Sequence, residues 1–185
     1  DSKELRLTVE TDSDSVFYLK GFVGSNYQDR QWKALDDSVY AKKHQERFRW
    51  LANRNWSVWT QEFKALSATS YREQSTKKVR VKNVQASRKY QYQPYFGMTN
   101  AGSMLKKGHD STLQNEWYAV KKDTTYRMIE MKDMDYLTIQ TLAQLEARQS
   151  QKEISDYLES EWTYREFVKE EYLTIPKEFQ RFFTQ

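Results

Sequence analysis

Val16–Trp32, VFYLKGFVGSNYQDRQW, is the stretch that most limits what this chain can become. An apolar run, Val16–Val23, is ended by Gly21 and Gly24; a polar turn follows, and a lone Trp32 closes it. That order marks a strand edge and a structured turn, with the glycines supplying backbone geometry at a bulge or turn. Elsewhere aliphatic residues are scarce. Hydrophobic residues make up 38% of the chain and aromatic ones 15%, including six Trp, thirteen Tyr and nine Phe. Rings must therefore fill much of the core. A chain of 185 residues buries roughly 70% of its unfolded surface and needs no covalent staples. One domain, or one domain with an appended helical piece, is expected.

The chain has no cysteine. Thiol nucleophiles, thiolate metal sites and disulfides are excluded. That composition suits exported proteins of bacteria that do without disulfides, and a short cytosolic domain equally. The net charge is +4, and Lys and Arg alternate with acids, as in Lys42–Arg49 and Lys121–Lys132. This reads as a solvated surface, so no nucleic-acid partner is expected. No apolar run approaches the ~18 residues that a membrane-spanning helix needs. With no leader and no initiator Met, the chain reads as a piece of a longer protein.

Leu5, Leu7 and Val9 alternate with Arg6 and Thr8, which predicts a strand. Asp12–Ser15 is a turn cluster, and Val16–Val23 a second strand. From Asp36 to Asn55 the period changes. Tyr40, His44, Phe48 and Leu51 form one helical stripe, with Asp36 or Asp37 as its cap and Asn53–Asn55 as its end. Val58, Glu62, Phe63 and Leu66 predict a second, shorter helix. Val79 and Val81 then alternate with charged neighbours, and Tyr90, Tyr92 and Pro94 with Gln91 and Gln93; these two runs read as a hairpin ending at Pro94. Gly97–Asp110 is a long polar loop. Glu116–Val120 and Thr124–Met131 form another strand pair, the second with apolar residues on both faces. Tyr136, Ile139, Leu142 and Ala143 open a helical C-terminal third. Ser150 and Glu153 make a capping box, and Thr163 and Glu166 a second one that implies a break near Trp162. Tyr172–Ile175 is expected to be extended ahead of Pro176.

Catalytic signatures are missing. Of the two histidines, His44 lies on the apolar stripe and reads as packed, while His109 sits beside Asp110 in the polar loop. No H-x-x-x-H spacing exists, and Asp12 and Asp14 lack the glycine and glutamate of a calcium loop. Asp133 and Asp135 read as helix caps. Gly21 and Gly24 match no phosphate-binding motif, so no cofactor is expected. The clusters Tyr90, Tyr92, Tyr95, Phe96 and Trp50, Trp56, Trp59 either fill the core or stack on a ligand, and burial is the favoured reading.

Three segments occur in a telling order: YLKGFVGSNYQDRQW (Tyr18–Trp32), YQYQPY (Tyr90–Tyr95) and YLTIP (Tyr172–Pro176). The chain thereby resembles the extracytoplasmic region that precedes the catalytic domain in bacterial membrane-bound transglutaminase-like proteins of Firmicutes type. The resemblance implies a non-catalytic ectodomain on the outer face of the cell membrane, in a Gram-positive cell envelope. It would space or orient a downstream catalytic core or present a protein-binding surface. The family's catalytic Cys, His and Asp would lie downstream of Pro176, so no catalytic residue is carried over. The expected fold is α+β: an antiparallel β-sandwich-like core (1–135) with a helical insertion at about 36–66, and a helical segment (136–185) packed on it and leading toward the catalytic domain. Tyr90, Tyr92, Tyr95, Phe96 and His109 are the expected partner-contact residues. Two rival readings stand beside this one. A carbohydrate- or cell-wall-binding module would show a row of exposed rings; a stand-alone hydrolase would show two carboxylates in a cleft.

Overall fold

The computed structural model describes residues 4–14, 16–59, 76–95, 97–98, 105–115, 123–129, 143, 145–148 and 150–173. In chain order the elements are β1 (Leu7–Thr11), β2 (Leu19–Lys20), β3 (Asn26–Gln28), β4 (Gln31–Lys33), α1 (Asp37–Lys43), α2 (Gln45–Asn53), β5 (Thr76–Asn83), β6 (Gln93–Pro94), β7 (Gly97–Met98), β8 (Leu105–Lys107), β9 (Leu113–Asn115), β10 (Asp123–Ile129) and α3 (Lys152–Tyr172). The fold class is α+β. Two compact units form, one from Asp1–Val23 with Val58–Ser150 and the other from Gly24–Ser57 with Gln151–Gln185.

The first unit is built on a four-stranded antiparallel sheet in the order β1-β5-β10-β7. Alternation on β5 sends Val79 and Val81 inward and leaves Lys78, Arg80 and Lys82 outward. Tyr126 lies opposite Val79 on β10, and Met128 follows it on the same face. With Leu113 of β9 these residues are the buried cluster, and Phe17, Leu19, Tyr92 and Leu105 pack against it from the short ladders β2–β6 and β8–β9 and their flanks. Burying each such side chain contributes about 1.5–3 kcal/mol. The sheet's outer face is polar at Thr125 and Arg127, so β10 is open there, although Ile129 at its end is buried. On the edge strand β1, Leu7 packs on the core while Val9 remains 39% exposed.

Several expected pairings differ. Val79–Val84 and Tyr90–Pro94 do not form a hairpin: β5 pairs with β1 and β10, and β6 pairs with β2. Within Tyr90–Pro94 the glutamines go inside. Gln91 Nε2 donates to Thr124 Oγ1 at 2.8 Å and Gln93 Nε2 to the Ser111 carbonyl at 2.7 Å, so both amides are buried with their hydrogen bonds made. Only Leu19–Lys20 of the run Val16–Val23 is ladder-paired. Gly21 is there for close approach: a Cβ would sit 2.5 Å from Cε1 of Tyr92. The polar loop holds β7 at its start, paired with β10, and β8 near its end, paired with β9. The expected strand at 116–120, the helices at 60–66 and 136–142, and Asp133, Asp135 and Phe96 lie outside the described residues.

The second unit carries the hairpin β3–β4 and the helices α1, α2 and α3. Asp29 and Arg30 (φ 53° and 62°) form the two-residue hairpin turn, with Tyr27 opposite Trp32. Asp36 caps α1, its Oδ1 accepting from the Ser38 N–H at 2.7 Å; hydrogen bonding from the Ser38 side chain, and then from its N–H, holds the Asp36 carboxyl below the usual range. The predicted continuous helix is two helices, broken at His44 (φ −120°, ψ 7°). The stripe survives the break, because Tyr40, His44 and Leu51 are buried and Phe48 meets Phe167 of α3. Asn55 (φ 52°) follows the end of α2 in the left-handed region. α3 runs 21 residues without a break, about 30 Å. Neither capping box forms. Gln151 is the N-cap and makes no side-chain capping bond, while Thr163 Oγ1 donates to the Glu159 carbonyl four residues back at 2.8 Å, a bond a helix interior permits. Tyr172 is helical, not extended.

Candidate functional site

The densest set of titratable side chains among the described residues lies where the α1–α2 junction meets the end of α3. The break at His44 turns its ring onto α3, where it meets Phe167 edge-on at 5.0 Å and is 2% exposed. His44 Nε2 lies 2.7 Å from Glu171 Oε1, the same oxygen that accepts from Lys43 Nζ at 2.6 Å. Arg47 faces Nδ1 of His44 at 3.3 Å through Nη1 and donates through Nη2 to Glu170 Oε1 at 2.8 Å. The hydroxyls of Tyr40 and Tyr172 share a hydrogen bond of 2.7 Å.

One ligand atom from each of His44, Glu170 and Glu171 falls within 4.8 Å of the others. A guanidinium can only donate, so Nδ1 of His44 accepts and the ring proton sits on Nε2, aimed at Glu171. A metal at Nε2 would require that proton to move to Nδ1, against the Arg47 N–H, and would displace the Lys43 ammonium. Two cations already balance the two carboxylates. The arrangement suits a latch between helices better than a ligand set.

The latch has a pH signature. Hydrogen bonding from Arg47 holds the Glu170 carboxyl below its ordinary 4.5. Burial pushes Glu171 up, but the bonds from Lys43 and His44 together outweigh it, and the net shift from 4.5 is downward. The bond to Glu171 likewise raises the Lys43 ammonium. A lowered folded value means that the unfolded chain binds the proton more readily. This stabilisation is therefore complete above 4.5 and is lost as pH falls through the folded values. In urea denaturation between about pH 6 and pH 3, the native chain is expected to show a steeper acid loss than Glu171→Gln. Equal slopes would mean that the latch is not coupled to folding.

The expected partner residues are dispersed over the sheet unit. Tyr95 is 45% exposed beside the end of β6. Tyr90 is half-buried, meets Phe22 edge-on at 5.6 Å, and bridges to Gln114. Tyr92 turns to the core, and its carbonyl accepts from the Tyr126 hydroxyl at 2.9 Å. His109 is exposed in the turn after β8, near Ser111. Of the tryptophans, Trp56 is buried against Tyr164 at 4.6 Å. Sequence reasoning passed over Tyr18, which is 66% exposed beside Tyr95. The signal was present: Tyr18, Lys20 and Phe22 keep one parity while Phe17 and Leu19 take the other. Glu170 and Glu171 were missed as well, being two of many acids on a helix with no local mark. No family model, curated protein or solved structure matches this chain.

Proposed function

We propose that this chain is a non-catalytic ectodomain module of a membrane-anchored, transglutaminase-like protein on the outer face of a Gram-positive cell. It spaces or orients the downstream catalytic core and presents an interaction surface. The observation that carries the interaction role is the group of exposed rings, Tyr18, Phe22 and Tyr95, around the β2–β6 ladder. Two further observations favour a role without turnover. The chain has no cysteine, and the His44 cluster directs its donors and acceptors at one another. The family assignment rests on the order of the Tyr18–Trp32, Tyr90–Tyr95 and Tyr172–Pro176 segments.

Two experiments test this. The flanking reading frame is expected to encode membrane-spanning helices before Asp1 and a Cys/His/Asp core after Gln185; a frame with neither overturns the family assignment. The purified 185-residue chain, given a glutamine peptide with a primary amine and, separately, amide and glycoside substrates, is expected to form no product above buffer. Turnover that disappears in Glu171→Gln would overturn the non-catalytic reading.

A further inference from the structure

The outer edge of β1 is open. On its inner side the Arg6 carbonyl accepts from the Val84 N–H at 3.0 Å, and the Asp12 N–H donates to the Lys78 carbonyl at 3.4 Å. Arg6 and Asp12 thus turn their backbone groups to β5. Thr8 and Glu10 do the same, because the two sides alternate along an antiparallel strand. Leu7, Val9 and Thr11 turn theirs the other way. β1 is the last strand of its sheet, and among the described residues no backbone group bonds those three from that side. Edge strands are commonly blunted by proline, bulges, inward-pointing charges or a covering loop. Leu5–Thr11 has no proline, and Leu5, Leu7, Val9 and Thr11, which share one parity, include no charge. Leu5 is 59% exposed and Val9 39%. An apolar row with open amides therefore borders the sheet, and one further strand would satisfy both.

The edge LRLTVET (Leu5–Thr11) is complementary to itself. Turned antiparallel about Thr8, it sets Leu7 opposite Val9 of the other copy, Arg6 opposite its Glu10, and Thr8 opposite Thr8. The outward backbone groups of Leu7 and Val9 then meet as a hydrogen-bonded pair, and both apolar rows stay on the core face. Apolar, opposite-charge and Thr–Thr cross-strand pairs are each favourable. A centre at Glu10 would oppose two acids, and one at Val9 would set Leu7 against Thr11. With the centre at Thr8, Glu4 and Asp12 oppose each other only beyond the strand ends. The ion pairs of Arg6 with Glu4 at 2.9 Å and of Arg80 with Glu10 at 3.3 Å are solvent-exposed, so they yield at little cost. We propose that β1 pairs antiparallel with β1 of a second copy of this chain, about a two-fold axis at Thr8, joining the two sheets into one. The contact uses the same patch on both copies, so it closes as a dimer and does not propagate. One strand edge falls short of the about 800 Å² that each partner gives to a stable interface, so the dimer is weak and depends on concentration. The pairing does not rest on the family of the chain.

The test is analytical ultracentrifugation of the whole 185-residue chain from micromolar to millimolar concentration. Monomer is expected to pass to dimer across that range. Val9→Lys places a charge in the apolar row, a device that blocks edge pairing, and should weaken the dimer about tenfold or more. The chain has no cysteine, so single-cysteine variants read the register. Thr8→Cys should give a disulfide-linked dimer on oxidation with diamide. Glu10→Cys should not, because its two copies lie roughly 13 Å apart along the paired strands, beyond the ~7 Å reach of a disulfide. Circular dichroism verifies that each variant folds, and the cysteine pair keeps the test decisive if Val9→Lys does not. The proposal is overturned by a chain that stays monomeric at millimolar concentration, as it would if β1 received a strand of another protein. It is overturned equally by a dimer that Val9→Lys leaves intact, or by Glu10→Cys linking as readily as Thr8→Cys. The turnover assays above decide the non-catalytic reading separately and leave this result standing.

Discussion

Phe167→Ala is expected to destabilise the helical unit by about 3–5 kcal/mol, the usual range for a buried phenylalanine. Phe167 is fully buried, and five rings lie around it at 5.0 to 5.8 Å: Tyr40, His44, Phe48, Tyr164 and Tyr172. These come from α1, its junction with α2, α2 and α3 itself, so one truncation opens a void shared by all three helices. Edge-on geometry adds about 0.5–1.5 kcal/mol per aromatic pair beyond area burial, and Leu keeps bulk but not edges. Phe167→Leu should therefore fall between the native chain and Phe167→Ala. Urea denaturation followed by far-ultraviolet circular dichroism measures both. A loss under about 1 kcal/mol for the alanine variant would show that the ring cluster does not hold the helices together.

Tyr126→Ala is expected to have a comparable effect, about 3–5 kcal/mol by analogy with other large aromatic truncations, on the sheet unit. Tyr126 is fully buried on β10, opposite Val79 of the central strand, and its hydroxyl donates to the Tyr92 carbonyl at 2.9 Å. The ring fills the core and the hydroxyl ties the Tyr90–Pro94 segment to it. Tyr126→Phe separates the two roles. It keeps the ring and leaves the Tyr92 carbonyl without this donor, at a cost of about 1–3 kcal/mol. Burial pushes the phenol well up from its ordinary 10.0, so the group is neutral at pH 7 and the comparison reports a neutral hydrogen bond. If Phe costs as much as Ala, the hydroxyl rather than the ring carries the site.

Local pattern reached some of this architecture and missed the rest for identifiable reasons. Val79 and Val81 announce β5, since period two with charged neighbours has few other meanings. The stripe Tyr40, His44, Phe48, Leu51 announces a buried helical face even though the helix breaks at His44. The break turns the His44 ring to a partner more than a hundred residues away, Glu171, which no local window contains. The alternation of Tyr90, Tyr92 and Pro94 with Gln91 and Gln93 does not say which set faces inward. The glutamines are inward because Thr124 and the Ser111 carbonyl meet them, and a buried amide is tolerated once it is bonded. Thr163 with Glu166 matches a cap by composition, yet packing carries α3 straight through. At the candidate sites Tyr18 was readable from parity, whereas the latch was not, because its members are unremarkable until α3 is laid across the α1–α2 junction.

The helical unit is discontinuous along the chain: its early segment ends near Ser57 and its late one begins at Gln151. The Tyr40–Tyr172 bond closes over 132 positions. During synthesis at about 5–20 residues per second, the nascent α1–α2 pair waits roughly ten seconds for the helix that covers its rings. A ribosome paused within that interval would display a sticky, half-finished surface. Trigger-factor-type chaperones, or translocation in the unfolded state, would relieve that hazard, and a rearranged gene that places Gln151–Leu173 directly before Gly24 would remove the delay.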